Sequence, residues 1–307
     1  MKTPTAGTEV FTMDTRGSTG DGVAPAYRST WPVDMIFYKN YTSPSYSILT
    51  TSRLTAPNYL YTANTDAQNG TNSLHQFDYE NGYYNDTGTG STQLSWLFKR
   101  ATGFMDVVAY AGNTTARTIT HNLGVAPELL IVKNRTSNNG NQNWQVYSST
   151  LGASARLQLN TWDWVSTGTF IWNYTAPTSS VFSLSTSAMV NGSGDTYIAY
   201  LFASVAGVSK VGSYTGTGAN VNVDCGFTAG ARWIMIKRTD STGDWYVYDS
   251  ARGISAGNDP YLFLNTTAAQ VTNTDYIDPL SSGFTVTSNA SSTVNTNGST
   301  YIFLAIA

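Results

Sequence analysis

The chain has almost none of the residues on which disulfide-stabilised domains and histidine enzymes depend. Its 307 residues include one cysteine, Cys225, and two histidines, His75 and His121. A single cysteine excludes an intrachain disulfide, and we expect Cys225 to be a small buried packing residue. Two isolated histidines leave little room for a metal site or for general-base catalysis. We expect His121 to be a turn residue whose ring nitrogens bond to the backbone.

Charge is scarce as well. Lys, Arg, Asp and Glu make up 11% of the chain and the net charge is −3, whereas roughly 25% is ordinary for soluble proteins. The sequence has no cluster of Lys and Arg, so we expect no phosphate-driven binding of nucleic acid. It also has no apolar run of membrane-spanning length and no signal-peptide hydrophobic region. We therefore expect that the protein is made in a cytoplasm and that it does not insert into a membrane.

The motifs of common catalytic sites are missing too. There is no Gly-x-Ser-x-Gly elbow, no His-Glu-x-x-His and no phosphate-binding glycine loop. Glycan cleavage needs only two carboxylates, and Asp163 and Asp244 are the residues that would serve it. The simpler interpretation makes each of them a solvated loop carboxylate. We expect no catalytic residue, no cofactor and no metal, and hence no enzyme.

What the sequence does contain is an internal repeat. Residues 300–307 read TYIFLAIA, residues 196–203 read TYIAYLFA, and residues 94–99 read LSWLFK. Leu94, Ile198 and Ile302 are 104 residues apart each time. Apolar runs that end in lysine keep nearly the same register, at residues 35–39, 130–133 and 234–237. A long and even period predicts an array of similar units.

The repeated segments are short, rich in β-branched and aromatic residues, and separated by clusters of Gly, Asn, Ser and Thr. This composition is typical of strands, and no window has the spacing of an amphipathic helix. We therefore predict an all-β protein of three tandem β-sandwich, jelly-roll-like repeats of about 100 residues. The predicted domains are residues 1–102, 103–205 and 206–307, and the first is the most divergent.

One aromatic cluster distinguishes the second repeat from the third. Trp162, Trp164, Trp172 and Tyr174 lie close together in the sequence, and the corresponding region of the third repeat is less aromatic. Aromatic residues present in only one repeat are less expected to be scaffold. They fit a sugar-stacking or protein-contact patch, and they also fit packing between units or subunits.

Four stretches carry a resemblance to a known family. They are residues 121–135 (HNLGVAPELLIVKNR), 175–184 (TAPTSSVFSL), 190–197 (VNGSGDTY) and 236–245 (IKRTDSTGDW). They resemble tail-fibre-like proteins of marine bacteriophages, including phages of cyanobacteria and roseobacters, whose repeated domain has no known function. A loop that reads Asp-Ser-x-Arg-Gly in that family is kept at residues 249–253, which makes Arg252 a further candidate contact residue.

The resemblance implies a non-enzymatic virion structural protein, a tail-fibre or receptor-binding adhesin component. Its implied partners are other virion proteins and a host cell-surface glycan or protein, and by analogy with phage fibres it is expected to form a homotrimer. The divergent first repeat is then a candidate virion-attachment unit. Two alternatives stay open: a capsid or tail decoration protein without receptor binding, and a glycan depolymerase.

Overall fold

The computed structural model describes residues 1–16, 24–70, 75–85, 92–136 and 142–307. Antiparallel strands dominate these residues, so the predicted all-β, sandwich-type fold is confirmed. The helices α1 (Ala188–Asn191) and α2 (Ser292–Asn295) are single turns of four residues each. Within the described ranges, no helix has the length and apolar character needed to cross a membrane.

Residues 1–102 are called unit 1, and the described part of this unit forms two sheets. The larger sheet has the strand order β1 (Phe11–Thr15), β8 (Gln93–Phe98), β3 (Met35–Asn40), β4 (Leu49–Ser52) and β5 (Leu60–Tyr61). The smaller sheet has the order β2 (Tyr27–Arg28), β7 (Gly82–Asn85) and β6 (His75–Gln76).

Residues 103–205, called unit 2, have the same plan. The larger sheet runs β9 (Met105–Ala111), β16 (Thr196–Phe202), β11 (Leu129–Asn134), β12 (Gln145–Ser148), β13 (Ala155–Gln158) and β14 (Ser166–Thr167). The smaller sheet pairs β10 (Arg117–Thr120) with β15 (Val181–Leu184).

Residues 206–307, called unit 3, follow it again. The larger sheet runs β17 (Ser209–Thr215), β24 (Thr300–Ile306), β19 (Trp233–Arg238), β20 (Trp245–Asp249) and β21 (Tyr261–Phe263). The smaller sheet runs β18 (Val221–Asp224), β23 (Gly283–Val286) and β22 (Ile277–Leu280). In each larger sheet, therefore, the first long strand of the unit pairs with its last strand.

Turn chemistry explains where the last strands begin. Gly194 precedes β16 and Gly298 precedes β24, with φ of 83° and 79°. These are left-handed conformations that glycine adopts without steric cost.

Each larger sheet is buried on both faces. In β11, Leu130 and Val132 pack against the smaller sheet of unit 2, whereas Leu129 and Ile131 belong to a core shared by all three units. The alternation follows from the period of two residues along a strand. A strand covered on both faces reads as a continuous apolar run, which is why these segments stood out in the sequence.

The shared core lies where the three larger sheets meet. Phe98 of unit 1 lies 6.1 Å from Phe202 of unit 2 and 6.0 Å from Trp233 of unit 3, measured between ring centroids. Both pairs meet edge to face, a favoured aromatic geometry. The units thus form one body around a common apolar centre.

Matching backbone hydrogen bonds close the three units into a ring. In each unit, one backbone N–H that follows the fifth strand of the larger sheet donates to a carbonyl of the next unit. That carbonyl lies two residues after the lysine that ends the apolar run, which is Lys39, Lys133 or Lys237. The bonds are Gln68 N to Arg135 O (2.8 Å), Val165 N to Thr239 O (2.9 Å) and Gln270 N to Tyr41 O (2.7 Å). Unit 1 bonds to unit 2, unit 2 to unit 3, and unit 3 to unit 1.

Three buried lysines lie at the same junctions. Lys39, Lys133 and Lys237 are each no more than 2% exposed. Lys133 Nζ donates to Thr65 O of unit 1 at 3.0 Å, and Lys39 Nζ donates to Thr267 O of unit 3 at 3.0 Å. Burial lowers the pKa of each ammonium from its ordinary value to about 8. These carbonyl contacts compensate part of the cost of burying the charges.

Candidate functional site

The junction between units 2 and 3 carries the most exposed aromatic loop of the described chain. Residues 159–175 follow β13, and two bonds fix the loop to unit 3. Gly243 N donates to Trp162 O at 2.8 Å, and Val165 N donates to Thr239 O at 2.9 Å. Because the bonds bracket residues 162–165, the backbone of that segment is held in place by the scaffold.

Four large apolar side chains of this loop are exposed to solvent. Trp162 is 62% exposed, Trp164 57%, Phe170 42% and Tyr174 57%. Phe170 and Tyr174 lie 5.4 Å apart between ring centroids. Large apolar side chains grouped on a surface mark interaction sites, whereas single exposed ones are ordinary.

Two shallow depressions flank Asp163. The first, called the junction cleft, is lined by residues of both units: Asn160, Thr161, Trp162, Asp163, Asp244, Asn265 and Thr266. The second lies over β13 and is lined by Arg156, Leu157, Gln158, Asp163, Trp164, Val165 and Ser166. Each depression therefore has one exposed tryptophan, and the two share one carboxylate.

The junction cleft brings together two carboxylates that are far apart in the sequence. Asp244 Oδ1 accepts a hydrogen bond of 2.6 Å from Asn265 Nδ2, which orients the carboxylate. Below the cleft, burial lowers the pKa of the Lys237 ammonium, and the charges of Asp244 and Asp163 oppose that shift. Lys237 is itself inaccessible, since it is fully buried and donates to Gly243 O. The cleft thus offers a ligand acceptor oxygens beside one aromatic face.

Comparison of the junctions separates the role of the Trp162 backbone from that of its side chain. Counted from the paired residues Leu60, Leu157 and Leu262, position 162 corresponds to Thr65 and Thr267. All three carbonyls accept a hydrogen bond from the neighbouring unit. Only the junction of units 2 and 3 has tryptophan there. The Trp162 carbonyl therefore takes part in the contact between the units, whereas its indole ring is exposed to solvent.

Two of the candidate contact residues serve packing instead. Trp172 is 2% exposed, its Nε1 donates to Ala155 O at 3.1 Å, and its ring meets Tyr147 edge to face. The Arg252 side chain is 4% exposed and pairs with fully buried Asp249. Trp162, Trp164 and Tyr174 remain at the surface and are joined by Phe170, which the sequence analysis did not single out although it lies in the same aromatic segment.

The remaining single residues behave as the sequence indicated. His121 Nδ1 accepts from Leu123 N and its Nε2 contacts Thr178 O, both at 3.2 Å, so the predicted backbone-bonded turn is confirmed. Cys225 is buried, and burial raises the pKa of its thiol to about 12, as fits a packing residue. Among the residues described, no three His, Cys, Asp or Glu side chains converge as a metal site requires.

The fold and the site define an all-β protein that displays an aromatic loop from a three-unit body. The chain belongs to the family described as domain of unknown function DUF7483, whose model matches residues 10–307. One family model therefore spans all three units. No curated protein sequence matches the chain.

Proposed function

We propose that this protein is a non-enzymatic adhesin displayed on a bacteriophage virion, a tail-fibre component that binds a glycan on the host surface. The observation that carries the proposal is the pair Trp162 and Trp164, both exposed and both set on a backbone bonded across the unit junction. The resemblance to tail-fibre-like proteins of marine phages supplies the context.

The chemistry of the junction cleft suits a sugar. An aromatic face buries the apolar face of a sugar ring, while carboxylate and amide groups bond its hydroxyls. Trp162 provides the face, and Asp163 and Asp244 provide acceptor oxygens. Since the backbone is held by hydrogen bonds before any ligand arrives, little ordering entropy is lost on binding.

Binding to an array of purified bacterial surface polysaccharides tests this function. We expect the wild-type protein to bind at least one glycan, and Trp162→Ala and Trp164→Ala to weaken binding about tenfold or more each, as for aromatic hot spots. Leu54→Ala, which removes another exposed apolar side chain in unit 1, is the matched control and should bind normally. Equal binding by all four proteins would refute the assignment.

The proposal includes location and assembly: the protein is made in the host cytoplasm, joins other virion proteins, and forms a homotrimer. Immunogold electron microscopy of intact particles should label the tail. Label over the head, at hundreds of copies per particle, would instead identify a decoration protein. Light scattering that finds only monomer at high concentration would contradict the trimer.

A second candidate function is glycan depolymerisation, favoured by the presence of Asp163 and Asp244 in one cleft. A pair of carboxylates is the minimum for glycoside hydrolysis. Incubation of the protein with a bound polysaccharide should then release reducing ends, and Asp163→Asn and Asp244→Asn should each abolish the release. An unchanged polymer leaves the adhesin as the function.

A further inference from the structure

A second candidate site emerges from comparing the same three cross-strand positions in units 1 and 3. In unit 3, Ile236 pairs with Tyr246, which pairs with Phe263. In unit 1, the register places Tyr38, Leu49 and Tyr61 at those positions. The middle position therefore has a phenol ring in unit 3 and a leucine in unit 1.

In unit 3 that phenol ring fills a slot between aromatic neighbours. The Tyr246 ring centroid is 5.0 Å from that of Tyr261 and 4.8 Å from that of Phe263. Its hydroxyl lies 2.7 Å from Thr293 Oγ1. Tyr246 is 5% exposed, so the slot is occupied and closed.

In unit 1 the corresponding slot is open. Tyr59 and Tyr61 stand where Tyr261 and Phe263 stand in unit 3, and their rings meet edge to face at 5.3 Å. A cavity of about 410 Å³ lies against them and is also lined by Leu49. Tyr46, 66% exposed, is nearly parallel to Tyr61 with centroids 6.2 Å apart. Ligand pockets for small molecules have volumes in this range.

The polar groups that line this cavity are either uncharged or already hydrogen-bonded within the protein. Asn40, Ser43 and Ser47 lie along the wall. The one charged side chain in the lining, Lys39, donates to the carbonyls of Ser43, Tyr46 and Thr267, which uses all three of its N–H groups. The lining therefore offers hydroxyl and amide groups and no free charge.

A buried imidazole nitrogen without a partner lies on the same wall. His75 lines the cavity and is 2% exposed. Its Nδ1 is bonded to the Tyr83 hydroxyl, whereas its Nε2 has no hydrogen-bond partner. An unpaired buried polar atom is costly. Because Nε2 is itself shielded from solvent, a ligand hydroxyl reaches it and relieves that cost only if the wall shifts slightly.

We propose that this cavity of unit 1, called the tyrosine pocket, binds one neutral pyranose ring in the slot that Tyr246 fills in unit 3. Tyr46, Tyr59 and Tyr61 contact the apolar faces of the sugar, and the amide and hydroxyl groups bond its edge. A neutral sugar fits better than a charged one because the lining presents no free ion to pair with it. The site is separate from the junction cleft, so it stands whether or not the proposed adhesin function does.

The test uses the full chain and three neutral probes, the methyl glycosides of D-glucose, D-galactose and D-mannose. Ligand-detected NMR should show that at least one of them binds the wild-type protein. Leu49→Tyr should abolish this binding, because it supplies the ring found in unit 3. The exposed Tyr46→Ala should weaken it about tenfold. Thermal unfolding should show both variants folded, with Leu49→Tyr at least as stable as wild type.

Leu54→Ala, which removes an exposed apolar side chain of unit 1 outside both sites, is the matched control and should leave binding of the glycosides unchanged. Binding of no glycoside, or equal binding to Leu49→Tyr and wild type, would overturn the proposal. N-acetyltyrosinamide serves as a competing probe. If it binds the pocket and the glycosides do not, the site takes an aromatic side chain and the sugar assignment is wrong. If the junction cleft fails every glycan test while the pocket binds, only the proposed adhesin function is refuted.

Discussion

The ion pair between Asp249 and Arg252 provides the sharpest test of how the units are held together. Asp249 is fully buried, and its Oδ2 accepts from Arg252 Nε at 2.7 Å and from Trp96 Nε1 of unit 1 at 3.2 Å. Arg252 also lies over the Trp96 ring, 5.9 Å from its centroid, and donates to Val247 O at 3.1 Å. One pair thus joins unit 3 to the last strand of unit 1.

Replacing the arginine with leucine leaves a buried carboxylate without a counter-charge. We expect Arg252→Leu to lower the free energy of unfolding by about 3–5 kcal/mol, the usual cost of removing one member of a buried pair. Unit 2 has an uncharged pair at the corresponding positions, since Ser148 and Leu151 stand where unit 3 has Asp249 and Arg252. The double variant Asp249→Ser/Arg252→Leu should therefore recover to within about 2 kcal/mol of wild type.

Urea titration followed by tryptophan fluorescence measures the free energies of unfolding of wild type, Arg252→Leu, Asp249→Ser and the double variant. A cost below about 1 kcal/mol for Arg252→Leu would refute the reasoning, since so small a change is typical of exposed pairs. A double variant as unstable as the sum of its single variants would refute it too, because the carboxylate would then not be the cause. Glycan binding should stay unchanged in Arg252→Leu if Arg252 acts only in packing.

Three further predictions concern pH and the junctions. Burial raises the pKa of Asp259 to about 7. The folded state therefore keeps a proton that the unfolded state loses near pH 4, so the free energy of unfolding should fall from pH 4 to pH 7. Asp259→Asn should flatten that fall in denaturant titrations. Lys39, Lys133 and Lys237 have a pKa of about 8 in the folded state, against an ordinary value above 10. The unfolded state binds more protons between pH 8 and pH 10, so the free energy of unfolding should rise across that window. Lys133→Met should reduce the slope of that rise with pH. Trp245 Nε1 donates to Gln158 O of unit 2 at 2.9 Å, so Trp245→Phe should cost about 1–3 kcal/mol in the same titrations by orphaning that carbonyl.

Each of these has a result that would contradict it. A fall in stability from pH 4 to pH 7 that persists in Asp259→Asn would assign the fall to other carboxylates. A Lys133→Met slope equal to the wild-type slope between pH 8 and pH 10 would mean that Lys133 does not titrate there. Full stability in Trp245→Phe would show that Gln158 O finds another donor.

Local features of this fold were predictable from the sequence because local chemistry determines them. The runs that became β11, β19 and β24 are apolar and rich in strand-forming residues. The glycine turns before β16 and β24 need positive φ, and His121 needed only backbone atoms close to it in space. None of these features had to be predicted from how the units pack.

The junctions could not be predicted, because their partners lie far apart in the sequence. An apolar run shows that both faces of a strand are covered, but the sequence does not say that a second face meets two other units. A lysine at the end of such a run reads as a solvated residue. One of the three carbonyls that accept from the buried Lys39 ammonium belongs to Thr267 of unit 3, far away in the sequence.

The candidate site, like the fold, could be predicted from the sequence only in its local features. The exposed tryptophans were singled out from their composition and from their absence in the third repeat. Asp163 and Asp244 meet only across a junction, and Trp172 looked equivalent to Trp164 in the sequence although one is buried and the other exposed. Solvent exposure of an aromatic residue within one loop depends on the sheet beneath it, which the loop sequence does not contain.

The ring of backbone bonds that joins units 1, 2 and 3 has a consequence for how such a surface changes over time. If the three units were encoded by one repeated sequence, every substitution would appear in all three. Here the three positions are encoded separately, so each can diverge while the shared carbonyl contacts stay fixed. One junction has Trp162, unit 3 has the Asp249–Arg252 pair, and unit 1 has Leu49 where unit 3 has the ring of Tyr246. Similar units can therefore present different side chains, because one chain encodes every position around the ring.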